Sequence, residues 1–480
     1  METLYNDSIV KIISNNNDYD WYSPYKGVSD SQSIGTGFFL SLDGYILTCG
    51  HCVQDSNLLE INIPSKGKEK YKAKVISISI DYDLAVIKVD LPKEYKFTTL
   101  KLGDSDKILQ GDVVNAAGYP LGQENLKISQ GVISGFQAHL LQTDTPINSG
   151  NSGGPLVILN EKTKQYEVIG VNSQKISSEV ADNIGYSIPI NYFKLLSSFM
   201  KLDSFTILHR PRLLCKFMIT NDNILKYLSF EKDLGYLIYK ISEKSSLYKI
   251  GVRKLDLLVS FDGYDIDKFG GIKIPDSKEK FNIIDLLYKY PVGKKVLIKY
   301  FNKKNGIVEK DMQLEYPNFE IEHKLTNFQE RKEIDYEILS GLVISDFTIN
   351  HTQKSQIPEY ISSKVKTNIV KYRDDMCRLK GKVFVANILA GSYVYSNTDL
   401  APGIFLKSIN DIEVNNISEL RELIKKELEN NENFIKLIFD NDKVLLLNID
   451  NLIDENKILS ENFGYNTSNF FNELIKLKNI

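Results

Sequence analysis

The sequence predicts a mainly β protein built from more than one domain, and three observations carry that expectation. Residues 8–200 break into short apolar runs punctuated by Gly, Asp and Asn, a spacing that fits an all-β sandwich or barrel. Beyond residue 200, a pattern of strand, small excursion and second strand occurs twice, which marks an internal repeat. The length of 480 residues also exceeds what a single hydrophobic core normally serves.

In chain order, Ser8 to Ile13, Thr36 to Leu40, Tyr71 to Ser79, Val113 to Ala117 and Tyr166 to Val171 are runs of strand length bounded by turn residues. Asn191 to Met200 sets Phe193, Leu196 and Met200 at helical spacing and reads as a helix that closes the first domain, residues 1–200. The first repeat copy, in residues 201–317, holds the strand Gly235 to Ile241 and a short helix ending at Gly251. Asp256 to Phe261 then leads into the turn Asp262-Gly263. Residues 318–340 are charged and read as a linker. The second copy, in residues 341–455, holds Lys382 to Ile388, a polar stretch, and Gly403 to Ile409 before the turn Asn410-Asp411. Leu420, Leu423, Ile424 and Leu428 then form one face of a helix capped by Asn416 or Ser418. Phe434 to Phe439 and Lys443 to Ile449 read as a hairpin around Asn441-Asp442, and residues 456–480 as a tail with a terminal helix.

Bulk composition narrows the function class. The chain is 42% hydrophobic and 25% charged, as soluble globular proteins are, and 59 basic against 62 acidic residues give a formal charge of −3. That balance gives no basic surface for nucleic acid. No apolar run is long enough to cross a bilayer. The start, Met1 to Asp7, lacks the basic segment and apolar core of a secretory signal. Four cysteines in a chain this long do not make a disulfide framework. The expected location is intracellular, cytoplasmic or nuclear.

The chemistry concentrates in Gly150-Asn151-Ser152-Gly153-Gly154-Pro155. Glycines can turn the chain sharply and aim backbone N–H groups at one point, where an oxyanion would form in acyl transfer. A serine hydroxyl is a poor nucleophile and needs a base within hydrogen-bond reach, itself oriented by a third group. His51 follows the apolar run Tyr45 to Leu47, and Asp83 opens the buried-strand pattern Asp83 to Val89. The chain order is therefore His, Asp, Ser.

These segments resemble the trypsin-like serine peptidases, the HtrA/Deg branch most closely. The resemblance rests on Gly35 to Phe39, Thr48 to Val53, Asp83 to Val89, Ala117 to Gly122, Gly131 to Gly135, Gln142 to Asp144, Asn148 to Pro155, Gly170 to Asn172 and Asn183 to Pro189, and so covers about the first 200 residues. It implies a chymotrypsin-like double β-barrel protease domain with the join near Pro92 to Lys107, His51 and Asp83 on the first barrel and Ser152 on the second. The repeats resemble PDZ domains, so the whole looks most like the two-PDZ plant-type Deg proteases. The implied activity is ATP-independent serine endopeptidase action on unfolded or damaged proteins; no ATP-binding motif is visible. Ser152 would be the nucleophile, His51 the general base and then acid, and Asp83 the orienting carboxylate. Backbone N–H groups of Gly150 and Ser152, with Asn151, would form the oxyanion hole. Pro146 and Ile147 would lie along the S1 pocket; with no acidic residue there, S1 is expected to be apolar and to disfavour Lys and Arg. The implied partners are unfolded proteins or peptides, peptide C-termini at the PDZ-like modules, and further copies of the chain. The family's trimers form through aromatic residues near the N-terminus, for which Tyr5, Trp21 and Tyr22 are candidates. No cofactor or metal is called for. The alternative is a catalytically silent PDZ scaffold or chaperone-like binding protein, against which the intact triad argues.

Several residues have plainer readings. Asp81, two positions before Asp83, is expected to be a solvated turn residue. His139, His209, His323 and His351 read as surface or packing residues. Cys49 and Cys52 bracket His51 with CxxC spacing, but no second ligand pair accompanies them as a zinc site would need. They read as small side chains beneath the strand end, with Cys52 a free thiol. The connection Phe136 to Leu141 is shorter than the loop that many HtrA proteins use as a sensor, which puts that relay in doubt. Arg212 to Phe217 is the nearest carboxylate-binding loop of the first module and contains no glycine. Ser340 to Val343, in the second, contains one.

Overall fold

The structure is a computed structural model that describes residues 2–92, 95, 98–173, 184–201, 204–275, 280–324 and 334–478. Asn183 of the Asn183 to Pro189 motif lies outside the described residues, as do parts of Pro92 to Lys107 and of the 318–340 segment. The chain divides into two compact units. One holds residues 1–16, 31–317 and 327–330; the other holds 17–30, 318–326 and 331–480.

The first unit contains two closed barrels of six strands each. In the first, β1 (Ile9–Tyr19), β2 (Val28–Phe39), β3 (Tyr45–Cys49), β4 (Ser56–Asn62), β5 (Lys70–Ser79) and β6 (Leu84–Val89) run in the order β5-β4-β1-β2-β3-β6, and a β5–β6 ladder closes the circle. Strand β6 is buried along nearly its whole length, which is why its sequence is a continuous apolar run rather than an alternating one. It pairs with β3 so that Cys49 opposes Leu84 and Thr48 opposes Ala85. This register brings the end of β3, from which His51 follows, beside Asp83.

The second barrel comprises β7 (Val113–Gly118), β8 (Lys127–Gln137), β9 (Leu140–Thr143), β10 (Pro155–Asn160), β11 (Gln165–Ser173) and β12 (Gly185–Pro189). The order is β10-β7-β8-β9-β12-β11, closed by β10–β11. Val114, Ala116, Ile133, Leu141, Leu156 and Ile169 fill it. The β8–β9 connection is a tight hairpin in which Ala138 takes a left-handed φ of 54°, so the stretch that the sequence marked as short is short in space as well. Helix α1 (Ile190–Ser197) follows β12 directly, with Phe193 and Leu196 on its buried face.

The same unit continues into an α+β module whose sheet runs Cys215–Met218, Tyr236–Ile241, Leu257–Phe261, Lys295–Asn302 and Gly306–Gln313. Its docking onto the barrels corrects the expectation for Asp81. That carboxylate is buried and paired with Arg212, and it accepts a 3.1 Å bond from the Arg210 N–H. Burial opposes its charge, yet hydrogen bonding from His209 and the charges of Arg212 and Arg210 outweigh burial and hold its pKa below the usual carboxylate range. Asp81 is therefore an anchor for the module rather than a solvated turn. Arg212, in the loop considered for carboxylate binding, is committed to that anchor, and Leu213 is buried in the module's core. Tyr288 completes the contact. Its backbone carbonyl accepts from the Tyr82 hydroxyl, and its ring stacks at 3.7 Å on His139 with the Arg210 guanidinium 4.5 Å from its centre.

The second unit holds the other α+β module, with strands Tyr336–Leu339, Leu342–Asp346, Val383–Ile388, Phe405–Ile409, Phe434–Phe439 and Val444–Asn448 in that spatial order. Asn416 caps the helix Ile417–Glu429 by accepting from the Glu419 N–H. Ser340 and Gly341 form the tight turn between the first two strands; the Gly341 carbonyl accepts from Leu389, and Leu342 and Val343 are fully buried. The last residues form the helices Ile449–Phe463 and Asn469–Lys478, whose Leu452, Phe470, Phe471 and Leu474 join the core. The aromatic residues expected at a subunit contact are also interior. Tyr5 packs against Tyr166, and Trp21 and Tyr22 pack against His351. Among the described residues no helix is long and apolar enough to cross a membrane.

His139 makes the docking contact pH-dependent. Burial, and then the Arg210 charge, push its pKa down to about 4. A depressed folded-state value means that the neutral ring is the one that fits. The stabilisation is complete above the unfolded pKa of about 6.5 and is lost as pH falls from there towards 4. At about 1.4 kcal/mol per tenfold change in proton affinity, the loss is on the order of 3 kcal/mol. Chemical denaturation of the chain between pH 7 and pH 4 should include this contribution beside that of the buried His351, and His139→Gln should lessen the slope; an unchanged slope in the variant would exclude His139 as a source.

Candidate active site

Asp83 is held as a fixed acceptor. Its backbone takes a left-handed φ of 54°, and its carbonyl accepts from the Gly50 N–H at 2.9 Å. Its carboxylate accepts the His51 backbone N–H at 2.9 Å, and His51 Nδ1 lies 2.8 and 3.0 Å from the two oxygens. The Ser173 hydroxyl, at the end of β11, donates to the same carboxylate at 3.1 Å. A carboxylate spanning Nδ1 selects the tautomer with a proton there and leaves Nε2 as the basic nitrogen.

The loop around Ser152 is fixed from both barrels. Asn151 N–H donates to the Asn148 carbonyl at 2.9 Å with Gly150 at φ +93°, the signature of a type II turn that requires glycine at its third position. A Cβ on Gly150 would overlap the Tyr119 carbonyl, and one on Gly153, at φ +87°, would overlap the Thr36 carbonyl and the Thr48 hydroxyl. The Ser149 carbonyl accepts from the Leu121 N–H at 2.6 Å. A trans peptide points its N–H opposite its C=O, so the Gly150 N–H faces away from Leu121. Leu121 delivers its N–H from a left-handed φ of 53°, a conformation that costs a non-glycine residue about 1–2 kcal/mol.

Thr36, from β2 of the first barrel, ties the arrangement together. Its hydroxyl accepts from the Tyr119 N–H at 3.1 Å and donates to the Gly150 carbonyl at 2.6 Å, while its own N–H donates to the Ser152 carbonyl at 2.8 Å. Thr48 then donates to the Thr36 carbonyl at 2.7 Å. From the second barrel, Gly153 N–H donates to the Asn172 carbonyl at 2.8 Å. Ser152 and Asn151 are buried.

One expected role is corrected. The Asn151 N–H is spent on the Asn148 carbonyl, so it is not available as an oxyanion donor. Pro146 is exposed, whereas Ile147 is half-buried with its Cδ1 beside Gly185 of β12. Ser173, Thr36, Thr48 and Leu121 were given no role by sequence reasoning. Thr36 and Leu121 stand inside recognisable motifs, but nothing in the string of residues states that one bridges two barrels and the other turns left-handed. Ser173 is signalled only by its place after Gly170 to Asn172.

Cys52 is a free thiol, as expected, and so is Cys49; both are buried. Cys49 donates to the Asn172 carbonyl at 3.2 Å. Burial pushes its pKa up, whereas the adjacent Cys49 thiol and the His51 charge lower that of Cys52 against burial. For His51, burial opposes the imidazolium, whereas the Cys52 charge and the Asp83 hydrogen bond favour it and raise its pKa.

Residues 35–171 match a family model described as the trypsin-like peptidase domain. The chain is similar to the Do-like 14 protease of Arabidopsis thaliana, with 32% identity over 264 residues, covering 50% of this chain and 58% of that relative. It is similar to a DegP-like serine endoprotease of Rickettsia prowazekii, with 28% identity over 395 residues, covering 80% of this chain and 70% of the relative. Among solved structures, the HtrA-type protease AlgW with a decapeptide aligns over 65% of this chain and 97% of its own at 20% identity, with a TM-score of 0.48. The chain thus spans 58% of the Arabidopsis relative's length, and 49% of that of a DegP-like relative from Pseudomonas putida.

The Thr36 hydroxyl is testable on its own. Thr36→Val keeps the shape but leaves the Gly150 carbonyl and the Tyr119 N–H unpaired in a buried place, at about 1–3 kcal/mol for each. Calorimetry should show a clearly lowered unfolding temperature; a variant as stable as the native chain would mean that the bridge is dispensable.

Proposed function

From a chain whose residues 35–171 are a trypsin-like peptidase domain, with Do-like and DegP-like proteases among its relatives, we infer a serine endopeptidase of the HtrA/Deg type. The observation that carries the reading is the Asp83 carboxylate spanning His51 Nδ1 at 2.8 and 3.0 Å, beside a glycine-bracketed Ser152 loop pinned by Thr36. In this reading His51 Nε2 takes the Ser152 hydroxyl proton as the oxygen attacks the scissile carbonyl, and Asp83 stabilises the imidazolium that results. The Gly150 and Ser152 N–H groups receive the negative charge that develops on the carbonyl oxygen. The imidazolium next protonates the leaving amine, and a water molecule repeats the sequence to release the acyl group.

Specificity follows from Ile147. Its side chain lies against Gly185 and adds hydrocarbon there, which supports a pocket for small or medium aliphatic P1 residues. The substrates fitted to such a site are unfolded proteins whose apolar side chains are exposed. The rival reading, a silent scaffold, has no use for a histidine held in a chosen tautomer.

Digestion of unfolded casein tests this. The native chain should cleave it after aliphatic residues, and Ser152→Ala or His51→Ala should lower turnover by about 10⁴-fold or more. Cleavage chiefly after Lys or Arg would remove the Ile147 argument, and a native chain inert on every unfolded protein offered would favour the scaffold.

A further inference from the structure

The two thiols beside the triad have no part in acyl transfer. Cys49 Sγ, His51 and Asp83 nevertheless bring one ligand atom each within 4.8 Å of one another. The sequence hides this set because Asp83 is remote from the CxxC pair along the chain; the β3–β6 register brings it in. Cys52 stands outside this set, its thiol donating to the Ser152 carbonyl at 3.5 Å. We propose that Cys49 Sγ, His51 Nδ1 and an Asp83 oxygen bind a zinc-class divalent cation, with solvent in the fourth position, and that the bound ion switches the triad off.

The donor chemistry selects the metal class. Thiolate, imidazole and carboxylate together are ligands of zinc, whereas magnesium and calcium take oxygen almost alone. Tetrahedral zinc with bonds of about 2.0–2.3 Å sets its ligand atoms roughly 3.4–3.6 Å apart. The present spacings bracket that value: Nδ1 and the carboxylate oxygens, at 2.8 and 3.0 Å, would open by about half an ångström, and the sulfur would close in from within 4.8 Å. Charge favours the site too. One thiolate and one carboxylate neutralise a divalent cation, which is what a buried position requires. Cys49 is fully buried, whereas the His51 and Asp83 side chains keep 23% and 15% exposure, so the ion enters from the imidazole side.

The inhibitory consequence follows from the tautomer. Binding at Nδ1 displaces the proton held there, which the neutral ring then carries on Nε2, and the Cys49 thiol proton goes to solvent. Nε2 is the atom that must accept the serine proton. The metal also replaces the hydrogen bond by which Asp83 orients the ring. The base is thereby blocked at both nitrogens without any change in the Ser152 loop.

The inhibitory half rests on the peptidase reading; the binding half does not, and the experiment separates them. Full-length Ser152→Ala chain, kept reduced with a phosphine, is titrated with cobalt(II) and then zinc(II). The expected result is one equivalent of cobalt with a thiolate-to-metal charge-transfer band, displaced by zinc and lost in Cys49→Ser and in Asp83→Asn, each checked for folding by thermal denaturation. In the native chain, zinc should inhibit peptide cleavage reversibly to chelator, and Cys49→Ser should raise the half-inhibitory concentration by at least roughly tenfold. A folded Ser152→Ala chain that shows no thiolate band overturns the site, as does a band that survives both ligand substitutions. Equal zinc sensitivity in native and Cys49→Ser chains overturns the switch. Metal binding by a native chain without peptidase activity would keep the site and instead sink the function proposed above.

Discussion

The hydroxyl of Thr36 is the point on which the active region depends. It belongs to the first barrel, accepts an N–H from Tyr119 of the second and donates to the carbonyl of Gly150 in the loop that carries Ser152. The backbone of the same residue holds the Ser152 carbonyl. One side chain thus sets the distance between two separately closed sheets and the orientation of the loop between them. A barrel has no free edge with which to grip its neighbour, so few polar bridges of this kind have to determine how His51 and Asp83, from one barrel, are placed relative to Ser152, from the other. Water would compete with such a bridge at the surface; here every participant is buried, and leaving any of them unpaired is expensive.

The loop then stores some strain. Gly150 and Gly153 occupy left-handed conformations in places where a Cβ would strike backbone or hydroxyl atoms, and Leu121 adopts such a conformation without being glycine. What Leu121 gains is the bond to the Ser149 carbonyl, which fixes the direction of the Gly150 N–H. The short β8–β9 hairpin is engaged elsewhere: His139 lies against Tyr288 of the following module. In this chain, therefore, loop order comes from contacts inside the double barrel, while the short connection serves the docking of the next module.

Much of this was legible in the sequence. Closely spaced strands, the glycine bracket and the order His51, Asp83, Ser152 can be read because local chemistry demands them: glycine where φ must be positive, a continuous apolar run where a strand is buried along its length. Asp81 and Asn151 were misread for a common reason. The fate of a carboxylate or an N–H depends on which distant group reaches it, Arg212 for one and Asn148 in a specific turn for the other, and residue type alone carries no such information. Tyr5, Trp21 and Tyr22 show the same limit, since an aromatic residue near a chain start can serve a neighbour or its own core, and here each is interior. The Cys49–His51–Asp83 cluster is legible only once the β3–β6 register is known.

The central claim is that the buried Thr36 bridge and the Asp83–His51 pair hold Ser152 as an activated nucleophile in the resting chain. The most direct measurement is the rate at which a fluorophosphonate labels the native protein, with the modified residue identified by mass spectrometry. The account predicts rapid, single-site labelling at Ser152, with no peptide activator added and none detectable after His51→Ala. A resting chain that resists the probe, or labelling spread over other serines, would contradict it.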